Sequence, residues 1–157
     1  MLAQTNSHLT SRINFNMFPQ DYYKRISVWQ DLRNNLETSK DPFDLLFDFW
    51  NAVPTNAIST DPYDSKTWPD PWEMIQQNDY CEFKKILAIF YTLQLTDRFS
   101  EADFEIHITL DRDKSRYVYL LSVDNLTIGI YNNGNVGFYK HKKLVSQVQY
   151  SKLPQYN

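Results

Sequence analysis

The strongest constraint in this 157-residue sequence is a change of hydrophobic period near residue 100. Upstream, apolar residues recur every three or four positions, the spacing that gives a helix one buried face. Downstream, Phe104, Ile106, Ile108 and Leu110 alternate with Asp103, Glu105, His107 and Thr109. A period of two belongs to a strand with one face turned to water. Helices first and strands second define an α+β class. The expectation is N-terminal helices packed on a C-terminal antiparallel meander sheet of about four to five strands.

Finer spacing divides the two halves. Asp21 to Glu37 reads as a helix carrying Ile26, Trp29, Leu32 and Leu36, and Asp41-Pro42-Phe43-Asp44 opens a second with Pro at its first position. Pro54 to Pro69 is a long connection, of the kind that serves a purpose when a compact domain keeps it. Asp70, Pro71 and Glu73 form a capping box, and one main helix is expected from there to Leu95, with Trp72 buried. Strands follow at Tyr117–Val123, Leu126–Tyr131, Val136–Tyr139 and Leu144–Tyr150, with Asp124-Asn125 and Asn133-Gly134 as turns. Residues 1–20 read as an irregular arm and 21–157 as a single domain. Ile13, Phe15, Met17 and Phe18 are too apolar for a solvated tail, so the arm is expected to dock on a partner. Tyr63 and Trp68, on the long connection, are further interface candidates.

Composition removes several chemistries. The chain has 3 Gly, all between residues 129 and 137, which leaves no phosphate cradle, dinucleotide fingerprint or nucleophile elbow. A lone cysteine, Cys81, rules out an intrachain disulfide and a multi-thiolate metal site. His8, His107 and His141 stand in separate segments without ligand spacing. Asp111-Arg-Asp113-Lys-Ser115 starts like a calcium loop but has Arg116 and Ser122 where that loop needs Gly and Glu. No metal or other cofactor is expected. Apolar stretches fall far short of the roughly 20 residues that span a bilayer, and Met1–Thr10 does not read as a secretory leader. The expectation is a soluble chain, made inside the cell, with no membrane partner.

Charge is uneven. Residues 1–111 hold 9 Lys/Arg against 17 Asp/Glu, and residues 112–157 hold 7 against 2. Such a split fits solvated faces of opposite sign, neighbours docking head to tail, or nucleic acid at the basic end. Lys140-His141-Lys142-Lys143 reads as a charged hairpin tip or a phosphate contact. Nucleic acid is not the expected partner.

Cys81 heads Cys-Glu-Phe-Lys-Lys-Ile-Leu-Ala and is followed by the strands at 117–123 and 126–132. That order, over residues 70–132, resembles a degenerate transglutaminase-like cysteine-enzyme core. In that family the helical Cys is a nucleophile activated by a His and an Asp on two successive strands. Here those positions hold Tyr117 and Asn132, and neutral Tyr neither lowers a thiol pKa nor serves as its base. Cys81 is therefore expected to be a small buried apolar residue. The alternative is a cysteine hydrolase in which His107 substitutes as the base.

Asp61-Pro-Tyr-Asp-Ser-Lys-Thr-Trp-Pro-Asp-Pro-Trp-Glu-Met-Ile75 and Phe90-Tyr-Thr-Leu-Gln-Leu-Thr-Asp-Arg-Phe99 carry a second resemblance. They are similar to segments of small proteins of contractile-tailed cyanobacterial phages. The resemblance implies phage origin and a non-enzymatic structural or assembly role in the virion, at the neck, tail or baseplate, among other phage proteins. It also implies location in the host cytoplasm during synthesis and in the particle afterwards. The alternative within that setting is a small phage factor that binds a host protein.

Overall fold

Asp21 caps the first helix, α1 (Tyr22–Thr38), its carboxylate accepting the Lys24 N–H at 2.9 Å. The computed structural model describes residues 16–57, 60–113, 115–131, 133–140, 144–151 and 153–156. Ile13 and Phe15, two of the arm's apolar handles, lie outside the described residues. α1 buries Trp29, Leu32 and Leu36, as its spacing requires. α2 (Pro42–Asn51) buries Leu46, Phe49 and Trp50.

The single helix expected from Asp70 to Leu95 is two helices, α3 (Pro71–Gln77) and α4 (Glu82–Gln94). Asn78 stops the first in a left-handed conformation at φ 52°, which a short amide side chain tolerates better than most. Cys81 then caps the second, its Sγ accepting the Lys84 N–H at 3.4 Å. The capping box of α3 is present, with Glu73 N–H donating to Asp70 at 2.8 Å and Asp70 N–H to Glu73 at 3.3 Å. Every residue of α4 from Phe83 to Gln94 is buried, so this helix forms the centre of the core.

Five antiparallel strands follow: β1 (Phe104–Asp111), β2 (Arg116–Val123), β3 (Leu126–Ile130), β4 (Val136–Phe138) and β5 (Leu144–Tyr150). Their spatial order is β4-β3-β2-β1-β5, so the first four meander and β5 returns to pair with β1. The register sets Ile106 opposite Leu121, Ile108 opposite Tyr119 and Leu110 opposite Tyr117, all on the helix side. His107, Thr109 and Asp111 pair with Leu120, Val118 and Arg116 on the other side.

That outer face has a small cluster of its own, Val118, Leu120 and Tyr139. A Cβ at Gly129 would lie 2.6 Å from Leu120 and 2.9 Å from Tyr139, so a bare backbone is what lets the tyrosine ring lie across the strand. The Tyr139 hydroxyl donates to buried Asp111 at 3.0 Å. Burial first, then that bond, pushes its pKa up to about 12.

Two expectations fail here for packing reasons. Met17, read as a handle for a partner, is fully buried in this chain's own core. The Asn78 side chain fixes its neighbour, donating to the Phe18 carbonyl at 2.9 Å, and Phe18 is half-buried against the same core. The core thus takes in residues upstream of the expected boundary at 20/21. Trp72, expected to be buried, is 47% exposed and meets Trp29 edge-on at 5.7 Å between ring centroids. It sits on the solvent side of a two-turn helix, whose buried face is carried by Pro71, Met74 and Ile75.

Candidate functional site

The long connection after α2 is braced turn by turn. Asp61 accepts the Tyr63 N–H at 2.9 Å through its side chain and the Trp68 indole N–H at 3.0 Å through its carbonyl. Asp64 caps a single 3₁₀ turn, Ser65–Thr67. The Tyr150 hydroxyl of β5 donates to the Pro62 carbonyl at 2.9 Å. These bonds tie the connection to the sheet and hold Tyr63 outward on a fixed base.

Beneath the connection runs a row of rings. Tyr150 meets Trp68 at 4.9 Å, Trp68 meets Phe83 at 5.1 Å, and Phe83 meets Tyr119 at 5.4 Å. Each contact is tilted or edge-on, the geometry aromatic quadrupoles favour. Trp68, named from sequence as an interface candidate, is a buried strut in this row. Its indole is used up inside the chain, so it is not free to contact a partner. Tyr63 on the connection and Tyr117 on β2 are 56% and 53% exposed.

Beside Tyr117 lies a cavity of about 320 Å³ lined by residues that include Asn56, Thr60, Cys81, Glu82, Tyr117 and Tyr119. Asn56 is anchored by its backbone N–H, which donates to the Tyr80 carbonyl at 2.9 Å. Glu82 at the rim pairs with Arg116 at 3.3 Å. Burial, then the charges of Tyr63, Cys81 and Glu82, raise the Tyr119 hydroxyl above its ordinary pKa, and burial leads the rise at Tyr150. These phenols stay protonated at neutral pH and present donors along an otherwise apolar row. A larger cavity, about 630 Å³, opens where the C-terminal residues Leu153 and Gln155 pass under Phe90 and Gln94.

The Cys81–His107 pair is not assembled. Cys81 is 2% exposed on the helix side of the sheet, against the cavity that Tyr117 and Tyr119 line. His107 points from the opposite side, where Nδ1 lies 3.4 Å from the Ser146 hydroxyl and Nε2 lies 3.7 Å from Glu105. The strand register puts the sheet itself between thiol and imidazole. Tyr117, where the cysteine-enzyme pattern has its His, does line the Cys81 cavity, but it brings a phenol and no base. Asn132, at the Asp position, lies outside the described residues.

Among the described residues no group of three or more His, Cys, Asp and Glu side chains could hold a metal ion. No helix among them is long and apolar enough to cross a membrane. Comparison with protein-family models, with curated proteins and with solved structures gives no match. Sequence reasoning singled out Tyr63 but missed Tyr119, Thr60 and Asn56. Tyr117 and Tyr119 are two apart on one strand, so period two already placed them on one face; only the fold shows what covers that face.

Proposed function

We propose that this chain is a non-enzymatic structural or assembly protein, and that the surface around Tyr63 and Tyr117 makes its protein–protein contacts. Two exposed tyrosines, Tyr63 on a connection braced by Asp61 and Tyr117 two residues from Tyr119 on β2, carry the reading. Tyrosine is enriched at interface hot spots because it buries a large, amphipathic area at the cost of few rotatable bonds. Here the backbone beneath Tyr63 is already ordered by the Asp61 and Tyr150 bonds, so docking would lose little further entropy. The likeness of the Asp61–Ile75 segment to segments of contractile-tailed phage proteins supports putting the proposed contacts in a virion.

The test is mass spectrometry of purified particles together with the double variant Tyr63→Ser/Tyr117→Ser. The wild-type chain should be a stoichiometric component of the particle. The variant should stay folded yet bind its neighbour about thirtyfold more weakly, the effect of losing a hot spot of about 2 kcal/mol. Cys81→Ala should incorporate normally. A chain abundant in infected cells but missing from particles would transfer the reading to a factor that binds a host protein. Normal incorporation of the double variant would overturn the contact surface.

A further inference from the structure

α1 carries two arginines about two helical turns apart, one on either side of Trp29, and only one of them donates hydrogen bonds. Arg25 donates Nε to the Ile75 carbonyl at 3.0 Å and Nη2 to the Gln76 carbonyl at 3.1 Å, with Nη1 on the Gln20 carbonyl. These bonds satisfy carbonyls at the end of α3. Arg33 has no such acceptor. Its guanidinium carbon lies 4.4 Å from the centre of the Trp29 ring, and its buried Nε has no hydrogen-bond partner. No carboxylate among the described residues pairs with it. Glu37, one turn further along α1, gives its carboxylate to the backbone N–H groups of Asp97 and Arg98 instead. Burial, with no charge to offset it, lowers the Arg33 pKa.

A half-buried cation without an acceptor destabilises the free chain, yet its seat is firmly built. The Trp29 indole N–H donates to the Thr92 hydroxyl of α4 at 3.0 Å, which fixes the ring under the guanidinium. Trp72 meets the same ring edge-on at 5.7 Å and is itself exposed. Guanidinium and Trp72 ring therefore lie within about 10 Å of each other, the reach of about three residues of extended chain. Trp and Arg are among the side chains most enriched at contact hot spots. Asp70 and Glu73 stand beside Trp72 in the first turn of α3. One guanidinium near two carboxylates repels a polyanion or a doubly charged phosphate, and suits a single carboxylate.

We propose that the Arg33–Trp72 surface of α1 and α3 binds a segment of another protein through one Asp or Glu carboxylate, with an apolar side chain of the same segment on Trp72. The carboxylate accepts from the Arg33 Nη groups and gives the guanidinium the ion pair it lacks. The inference rests on the reading of the chain as a contact protein. It adds a second surface, on elements other than those that carry Tyr63 and Tyr117, with a partner of defined chemistry.

The first test needs no partner. Arg33→Met keeps an unbranched stem over Trp29 and removes the charge, so the urea midpoint should stay level or rise. A clear fall would show that the guanidinium is already satisfied inside the chain and would overturn the proposal. The second test is a display library of dodecapeptides selected on the full chain and counter-selected on Arg33→Met. Enriched peptides should carry Asp or Glu within about three positions of Leu, Phe or Trp. Converting that acid to its amide in a synthetic copy should weaken binding about tenfold, and Arg33→Met should do the same. The two changes together should cost little more than either alone, the mark of direct pairing. Trp72→Ser, at an exposed position, should weaken the same peptide with the urea midpoint unchanged. Peptides without an acidic bias, or additive losses from the paired changes, would overturn the proposal. Tighter binding of a copy with phosphoserine in place of the acid would also overturn it, by giving the site to phosphate. The Tyr63→Ser/Tyr117→Ser variant should retain the peptide, so failure of this surface and failure of the Tyr63–Tyr117 surface give different results.

Discussion

β4 and β5 close the same sheet at opposite ends, and a side chain from the end of α2 seals the outer side of β4. Asn51, the last residue of α2, donates its side-chain amide to the Val136 carbonyl at 3.2 Å and accepts the Val136 N–H at 2.7 Å. One amide thus satisfies both outward groups of a strand residue, as a neighbouring strand would. Phe43 and Phe47 of α2 then pack on Phe138 at 5.3 and 5.1 Å, so α2 covers the face of β4 as well. β5 is more than twice as long and runs along β1. A short strand is sealed by one side chain from a well-placed helix end, whereas a long one would need a whole element.

Removing the seal should give the largest effect. Asn51→Leu keeps the branched four-atom skeleton and deletes both bonds, leaving the buried Val136 backbone short of partners. It should cost about 2 kcal/mol in urea unfolding, with a matching loss of exchange protection at Val136 and Phe138. A cost below about 0.5 kcal/mol would mean that water seals β4 as well as Asn51 does. The two edges would then differ only in length.

The comparison also separates what local sequence carries from what only the fold supplies. The strands were legible because β1 alternates and Asn133-Gly134 turns the chain, with Gly134 at φ 85°. The α+β order followed from the same period change. Asn51 was not legible, since nothing in Phe-Trp-Asn-Ala announces an amide that will meet a strand 85 residues later. The break at Asn78 was missed because the apolar spacing continues across it; the left-handed stop depends on a bond to Phe18, far away in sequence. Met17 went wrong for the same reason: an apolar residue in an aperiodic segment reads alike whether it packs on a partner or on its own core. The Cys81 cavity was half legible, as Cys81 and Tyr117 were both singled out. That His107 sits behind the sheet required the strand register.

A buried lysine steadies the helix end that carries Asn51, and it gives the sealed edge a pH dependence. Lys85, on α4, donates its Nζ to the Val53 carbonyl, two residues beyond α2. Burial lowers its pKa from 10.5 to about 8, against the smaller opposing pull of Glu82. Below pH 8 the amine is charged in both folded and unfolded chains, and the burial cost is fully felt. Between about 8 and 10.5 the unfolded chain binds the extra proton, so stability rises with pH across that window. Tyrosines with raised pKa values, Tyr139 among them, oppose this above pH 10, which leaves pH 8 to 10 as the clean interval. Wild type should gain on the order of 1 kcal/mol over Lys85→Met in that interval, read from urea midpoints at each pH. Parallel curves for the two proteins would show that Lys85 keeps an ordinary pKa and that its bond to Val53 carries no buried charge.

The smallest effect on stability is expected on β5, where it is the most informative. Ser146 is exposed on β5, and its hydroxyl lies a long 3.4 Å from His107 Nδ1. Ser146→Lys puts a charge on the edge itself and breaks no buried bond, so its unfolding free energy should stay within about 0.5 kcal/mol of wild type. If the outward groups of β5 are free to pair, the same substitution should sharply reduce strand addition, including slow edge-to-edge association of the free protein at high concentration. Light scattering during prolonged incubation reads that association directly. An unchanged association rate with unchanged stability would show that the contacts form elsewhere, on the Tyr63 and Tyr117 surface. A loss well above 0.5 kcal/mol would show that β5 is already covered from within the chain, and the contrast between the two edges would disappear.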